Sequence, residues 1–143
     1  MNLVIDANVA IKWFVTENLQ AEARRLLDGG QDLHAPDFLV VELANVAWKK
    51  AKRQEITRRQ AEQISTACLD GVPVLHASSA LAERALQIAL DLDHPVYDCI
   101  YIACAEAVDG VLVTADEKMK KAAENTKFQR LIESLDPSAG GSP

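Results

Sequence analysis

Short apolar runs alternate along this chain with stretches whose apolar residues recur every three or four positions, which predicts strands and helices in turn. Leu3, Val4 and Ile5 make the first buried strand, and it stops abruptly on Asp6. Residues 9–15 follow as a short helix carrying Ile11, Trp13 and Phe14. A second helix is expected from Asn18 as N-cap to the Gly29-Gly30 pair, with Leu19, Ala23, Leu26 and Leu27 on one face, so that the two form an αα-hairpin on the sheet. Residues 33–35 read as a minimal second strand, and Pro36-Asp37 opens a long helix over 38–53. Thr57 with Gln60 is a capping-box signature for a helix reaching Leu69.

Residues 71–75 give a third strand, after which Ser78 or Ser79 is the expected cap of a helix burying Leu81, Ala85, Ile88 and Leu92. Pro95 breaks that pattern. Residues 97–107 are apolar nearly all round, as in a helix buried on most sides. Residues 111–114 are the clearest strand after the first, Asp116 opens the next helix, and 128–135 hold a final strand. Such alternation predicts an α/β fold in which a parallel sheet of about five strands lies between helical layers. One domain over residues 1–135 is expected, with a disordered tail at 136–143, where the composition turns to Ser, Gly and Pro.

Composition narrows the reading only in places. At 49% hydrophobic and 25% charged residues over 143 positions, the chain is globular, and no run is long enough to cross a bilayer. The N-terminus runs straight into Leu3 and Asp6 without a leader pattern, so a cytoplasmic protein away from membranes is expected. Cys68, Cys99 and Cys104 are odd in number, lie in helical patterns and read as core; His34, His76 and His94 read as isolated, which leaves zinc and thiol chemistry without support. The net charge of -6 argues against coating nucleic acid by charge alone. Lys49, Lys50, Lys52, Arg53, Arg58 and Arg59 nevertheless stand against Glu55 alone. That ridge is either a phosphate-tracking patch, with Lys12, or a solvated helix end.

Four carboxylates carry the chemistry. Asp6 and Asp116 each follow a strand and could be caps, Glu42 begins a polar row with Asn45 and Lys49 on an apolar helix, and Asp98 interrupts the greasiest segment. In a parallel sheet the ends of the strands at Asp6 and at residues 114–116 emerge on one edge, within reach of the starts of both helices. Four acids converging without counter-charge raise one another's pKa, and a hard divalent cation relieves the repulsion. Such a cation, Mg²⁺ or Mn²⁺, alone or as a pair about 3.5 to 4 Å apart, suits in-line displacement at phosphorus.

Val-Ile-Asp-Ala-Asn at 4–8, Glu-Leu-Ala-Asn at 42–45, Tyr-Asp-Cys-Ile-Tyr-Ile-Ala at 97–103 and Val-Thr-Ala-Asp at 113–116 together resemble the PIN-domain ribonucleases, especially the VapC-type toxins of type II toxin-antitoxin pairs. The resemblance spans about residues 1–135. It implies the PIN-like three-layer α/β/α sandwich and places Asp6, Glu42, Asp98 and Asp116 as the catalytic and metal-binding acids. Asn8, Asn45 and Thr114 take auxiliary positions by the same resemblance. It further implies metal-dependent cleavage of an RNA substrate, a cognate VapB-like antitoxin that blocks the site, and a homodimer. Trp13, Phe14 and Trp48 either line a partner groove or pack in the core, with core packing the preferred reading.

Three rivals remain to be weighed. A phosphohydrolase with an aspartyl nucleophile wants an acid where Asn8 stands, and a dinucleotide-binding module wants glycines after the first strand, where Ala7, Asn8 and Val9 offer none. A non-catalytic interaction protein of the same fold is the stronger alternative, although four retained acids weigh against it.

Overall fold

A computed structural model describes residues 1–138. Its elements in chain order are β1 (Asn2–Ile5), α1 (Ala7–Ala10), a 3-10 turn at Ile11–Trp13, α2 (Gln20–Asp28), β2 (Asp32–Pro36), α3 (Phe38–Lys52) and α4 (Arg58–Ala67). Then come β3 (Val74–His76), α5 (Ser78–Leu92), α6 (Val96–Ala107), β4 (Val111–Thr114), α7 (Glu117–Ala123), a second 3-10 turn at Gln129–Leu131 and β5 (Ile132–Ser134). The five strands form one sheet in the order β3-β2-β1-β4-β5, parallel throughout. Helices cover it in the PIN-like α/β/α sandwich that the sequence predicts.

The chain starts in the middle of the sheet. From β1 it winds outward through β2 to β3, then crosses to β4 on the other side of β1, so the winding reverses between β1 and β4. In open α/β sheets the crevice at such a reversal, outside the carboxyl ends of the strands, is where ligands bind. Ile5 pairs with Val113, which sets Asp6, just past β1, beside Thr114, the last residue of β4, at that edge. The close fit behind this register is visible at Gly110, where a Cβ would stand 2.3 Å from the Asn2 carbonyl oxygen.

Helix α6 runs through the core, with every residue from Cys99 to Ala105 buried, because its sequence leaves no polar face to turn outward. All three cysteines are buried, as expected. The capping box on α4 is present in both halves: the Gln60 amide donates to Thr57 Oγ1 at 3.1 Å and the Thr57 amide to Gln60 Oε1 at 2.7 Å. The helix ends at Ala67, two residues before Leu69.

Several local expectations fail for identifiable reasons. Asn18 does not cap α2; Leu19 holds the N-cap position at φ 66°, and the Gln20 side chain ties the turn down through Val15 O (2.7 Å) and Lys12 O (3.1 Å). The third strand begins at Val74 rather than residue 71, after Gly71 at φ 97° and Pro73, which has no N–H for a ladder. The last strand shrinks to three residues because a 3-10 turn occupies the segment before it. Apart from these, within residues 136–143, where a tail is expected, the Ser138 amide lies 2.9 Å from Asp136 Oδ1, and residues 139–143 lie outside the described residues.

Ser78 does not cap its own helix. Asp37 Oδ1 accepts from the Ser78 amide at 3.0 Å, while Ser78 Oγ accepts from the Phe38 amide at 2.9 Å, so the starts of α3 and α5 cap each other. The Asp37 amide also donates to the His76 carbonyl at 2.7 Å. Replacing either Asp37 or Ser78 by alanine should cost about 1 kcal/mol in urea unfolding, as for other lost caps. Because both hold the same junction, the double variant should lose less than the two single losses combined; full additivity would show the caps to be independent.

The histidines are not isolated. His34 Nδ1 lies 2.9 Å from His76 Nε2 across β2 and β3, a contact set by strand register and invisible to sequence spacing. His94 Nε2 lies 2.9 Å from Asp98 Oδ2, one helical turn away in sequence.

Candidate metal centre

Asp6 leaves β1 and caps α1, its Oδ1 accepting from the Val9 amide at 3.1 Å. Its other oxygen accepts from the Thr114 hydroxyl at the end of β4. Thr114 is fully buried, and the same hydroxyl oxygen accepts from the Asp116 amide at 3.0 Å. Asp116 in turn caps α7 through Oδ1, which accepts from the Lys118 amide at 3.0 Å and the Met119 amide at 3.3 Å. The two strand-end acids are thus caps and members of one cluster, joined through a single buried hydroxyl.

The other two acids come from the helices. Glu42, on the second turn of α3, accepts from the Tyr101 hydroxyl of α6 through Oε1. Asp98, in the first turn of α6, meets His94. Burial pushes the Asp6 carboxyl up to about 7; the hydrogen bonds from Thr114 and Val9 oppose that rise, and the charges of Glu42 and Asp116 add to it. Burial likewise raises Glu42, with Asp98 and Asp116 adding to it, and raises Asp98, with Asp116 adding to it. Tyr101 is held far above its ordinary value by burial and by Glu42, so it stays a hydrogen-bond donor at any working pH.

Each of the four acids therefore feels at least one of the others, and none lies within ion-pairing distance of a lysine or arginine among the described residues. They do not form a closed ligand set: among the described residues, no group of three or more His, Cys, Asp or Glu is disposed to hold a metal ion. Protein donors account for this spacing. Val9 and Thr114, Tyr101, His94 and the α7 amides each hold one carboxylate. The donor set is all carboxylate oxygen, with Asp6, Glu42 and Asp98 raised by burial and, to a lesser degree, by neighbouring acids, which fits a hard divalent ion held by one or two carboxylates plus water.

The auxiliary residues separate. Thr114 is central. Asn8 is exposed on the wall of a cavity of about 620 Å³ that it shares with Lys12, Glu17, Asp116 and Lys118. Asn45 is exposed on α3. The basic residues separate too: Lys12 and Lys50 both pair with Glu17, Arg58 pairs with Glu62 at 2.9 Å, and Lys52 lies over the Trp48 ring, leaving Lys49, Arg53 and Arg59 exposed. Core packing holds for Trp13, 8% exposed with its Nε1 donating to the Ala23 carbonyl, and fails for Phe14 and Trp48, 40% and 55% exposed.

Sequence reading missed Tyr101, His94 and Glu17 as members of the site. Tyr101 stands three residues after Asp98, and His94 four before it, so both spacings were open to inspection. Glu17 gave no such signal.

The family model of the PIN domain matches residues 3–125. The chain is 31% identical over 134 residues to Ribonuclease VapC3 of Pyrobaculum aerophilum, covering 92% of this chain and 98% of that one. It belongs to the PIN-domain family, in its VapC branch. Among solved structures, PAE2754 from Pyrobaculum aerophilum superposes with a TM-score of 0.69 at 20% identity, covering 94% of this chain and 84% of that one. VapBC2 from Rickettsia felis, bound to a DNA fragment from its promoter, gives 0.65 at 15% identity, covering 95% and 100%. At those identities the likeness is one of fold, and it is the fold that sets Asp6, Thr114 and Asp116 of this VapC-family chain at the edge of β1 and β4.

Proposed function

We propose that this chain is a metal-dependent endoribonuclease toxin that cuts RNA in the cytoplasm and is held in check by a cognate antitoxin. The observation that supports it best is the edge of β1 and β4, where Asp6 and Asp116 share the buried Thr114 hydroxyl while Glu42 and Asp98 are held nearby without a basic partner. Asp6, Glu42, Asp98 and Asp116 would hold Mg²⁺ or Mn²⁺, which would supply an activated water and stabilise the leaving oxygen. The chain's own residues prepare for that ion. Thr114 fixes the Asp6 rotamer, Tyr101 fixes Glu42, His94 fixes Asp98, and the α7 amides take one oxygen of Asp116 and leave the other free. Burial pushes the Asp6 carboxyl up to about 7, and a bound cation would favour its ionised form.

The Rickettsia felis structure is named VapBC2, and the proposed partner of this chain is a VapB-like antitoxin. By likeness, exposed Phe14 and Trp48 are the aromatic side chains offered to such a partner here. Exposed Leu86 and Leu90, one turn apart on α5, are offered to a second copy of the chain. A non-catalytic interaction protein of the same fold has no comparable use for four acids without a basic partner.

The test is the purified chain, free of partner, incubated with a mixed RNA pool and Mg²⁺ or Mn²⁺. Cleavage that leaves 3′-hydroxyl and 5′-phosphate ends is expected, falling at least about 100-fold in Asp98→Ala and returning to background with EDTA or with the antitoxin restored. The free chain should have twice the chain mass by light scattering. Cleavage unaffected by Asp98→Ala would remove the assignment of the acids, and a folded chain that neither binds metal nor cuts RNA would favour the interaction protein.

A further inference from the structure

Lys12 is only 8% exposed, although lysine is almost never buried without a partner. Its partner is Glu17, at 2.9 Å from Lys12 Nζ to Oε1, and the same carboxylate is met from the other side by Lys50 Nζ at 2.8 Å to Oε2. Two ammonium groups on one carboxylate leave an excess positive charge. Of the three, Lys12 and Glu17 line the cavity that Asn8, Asp116, Glu117 and Lys118 also line, and Lys50 lies outside that lining, on the other oxygen of Glu17. A phosphodiester carries one negative charge over two non-bridging oxygens, as a carboxylate does.

We propose that Lys12 and Lys50 form a phosphate subsite for the RNA backbone beside the acidic centre, and that Glu17 fills it until RNA displaces it. This deepens the nuclease reading and rests on it. The three residues come from separate pieces of chain: the 3-10 turn after α1, the connection between that turn and α2, and the last turn of α3. Lys12 and Lys50 therefore stand on ordered elements, and Glu17 stands on the connection. Burial works to raise the Glu17 carboxyl, but the hydrogen bonds and charges of the two lysines outweigh it and hold it below its ordinary value, so the anion is present at neutral pH. An anion of equal charge that likewise offers two charged oxygens can replace it. The excess charge then compensates a backbone phosphate while the neighbouring phosphodiester faces Asp6 and Asp116.

A plain structural staple predicts the opposite response to neutralising Glu17, which makes the two distinguishable. Binding of a fluorescent single-stranded RNA oligonucleotide is measured in EDTA, where no cleavage occurs, with the full chain and Glu17→Gln. The expected result is a rise in affinity of about five- to tenfold at low salt, with a steeper dependence on salt, each added phosphate contact contributing roughly 0.7 to the slope. Affinity equal to or below the parent chain in a folded E17Q overturns the proposal, and so does an equal gain for an acidic peptide. Should E17Q not fold, Lys50→Gln decides: weaker RNA binding with a slope lower by roughly 0.7 is expected, and unchanged binding overturns it. Because the measurement needs no metal and no hydrolysis, RNA that is bound as expected but left uncut with Mg²⁺ counts against the nuclease reading alone.

Discussion

Asp6→Asn should make the metal-free fold more stable above pH 7 while abolishing cleavage. A carboxyl held near 7 in the folded chain, against 3.8 ordinarily, binds its proton more tightly when folded. The stability it contributes is fully present below pH 3.8 and is lost as the pH rises through about 7. Above that, folding must bury a charge next to Glu42 and Asp116. Asparagine removes the charge and keeps an oxygen for the Val9 amide. Urea unfolding in EDTA should find the two chains nearly equal at pH 4 and the variant ahead by about 2–4 kcal/mol at pH 8, the upper figure being the full linkage for such a shift. Saturating Mg²⁺ should then stabilise the parent chain and leave the variant unmoved. A difference that does not change with pH would mean that Asp6 does not titrate as its burial requires.

The second large effect is expected at Thr114. Valine has nearly the same shape, but it removes the donor to Asp6 and the acceptor for the Asp116 amide at once. A buried carboxylate that loses its hydrogen bond is costly, so Thr114→Val should lose about 2–4 kcal/mol at pH 8 and less at pH 5, where Asp6 is protonated. Serine keeps the hydroxyl and should lose only about 1 kcal/mol, for the missing methyl. Carbon-13 titration of the Asp6 carboxyl should show a value above 7 in the valine variant and near the parent's in the serine variant. Equal behaviour of valine and serine would assign the effect to packing.

What the sequence disclosed was mostly local. The first strand, the buried helix α6 and the Thr57–Gln60 capping box each depend on residues a few positions apart, and each forms where expected. That Asp6, Glu42, Asp98 and Asp116 come near one another was legible as well, through the parallel topology and the placing of the acids at strand ends and helix starts. Asp6 and Asp116 are helix caps and also neighbours in the acid cluster, since one carboxylate oxygen can serve a helix while the residue still lies beside the other acids. The pairings hidden from view join distant residues. Tyr101 reaches Glu42 across 59 positions, Ser78 reaches Phe38 across 40, and Lys50 reaches Glu17 across 33. No periodicity encodes these contacts, because they depend on how one helix is set against another after the sheet has formed.

The central position of β1 has a consequence for the order of events during synthesis. The strand that bears Asp6 is made first, yet one of its two neighbours is β4, and the hydroxyl that holds Asp6 lies 108 residues further along. Such long-range parallel pairing forms late in folding. A nascent chain can place β2 beside β1 but cannot complete the edge until Asp116 has left the ribosome. The acids thus come together only after β4 and Asp116 have been made, however early β1 and β2 pair.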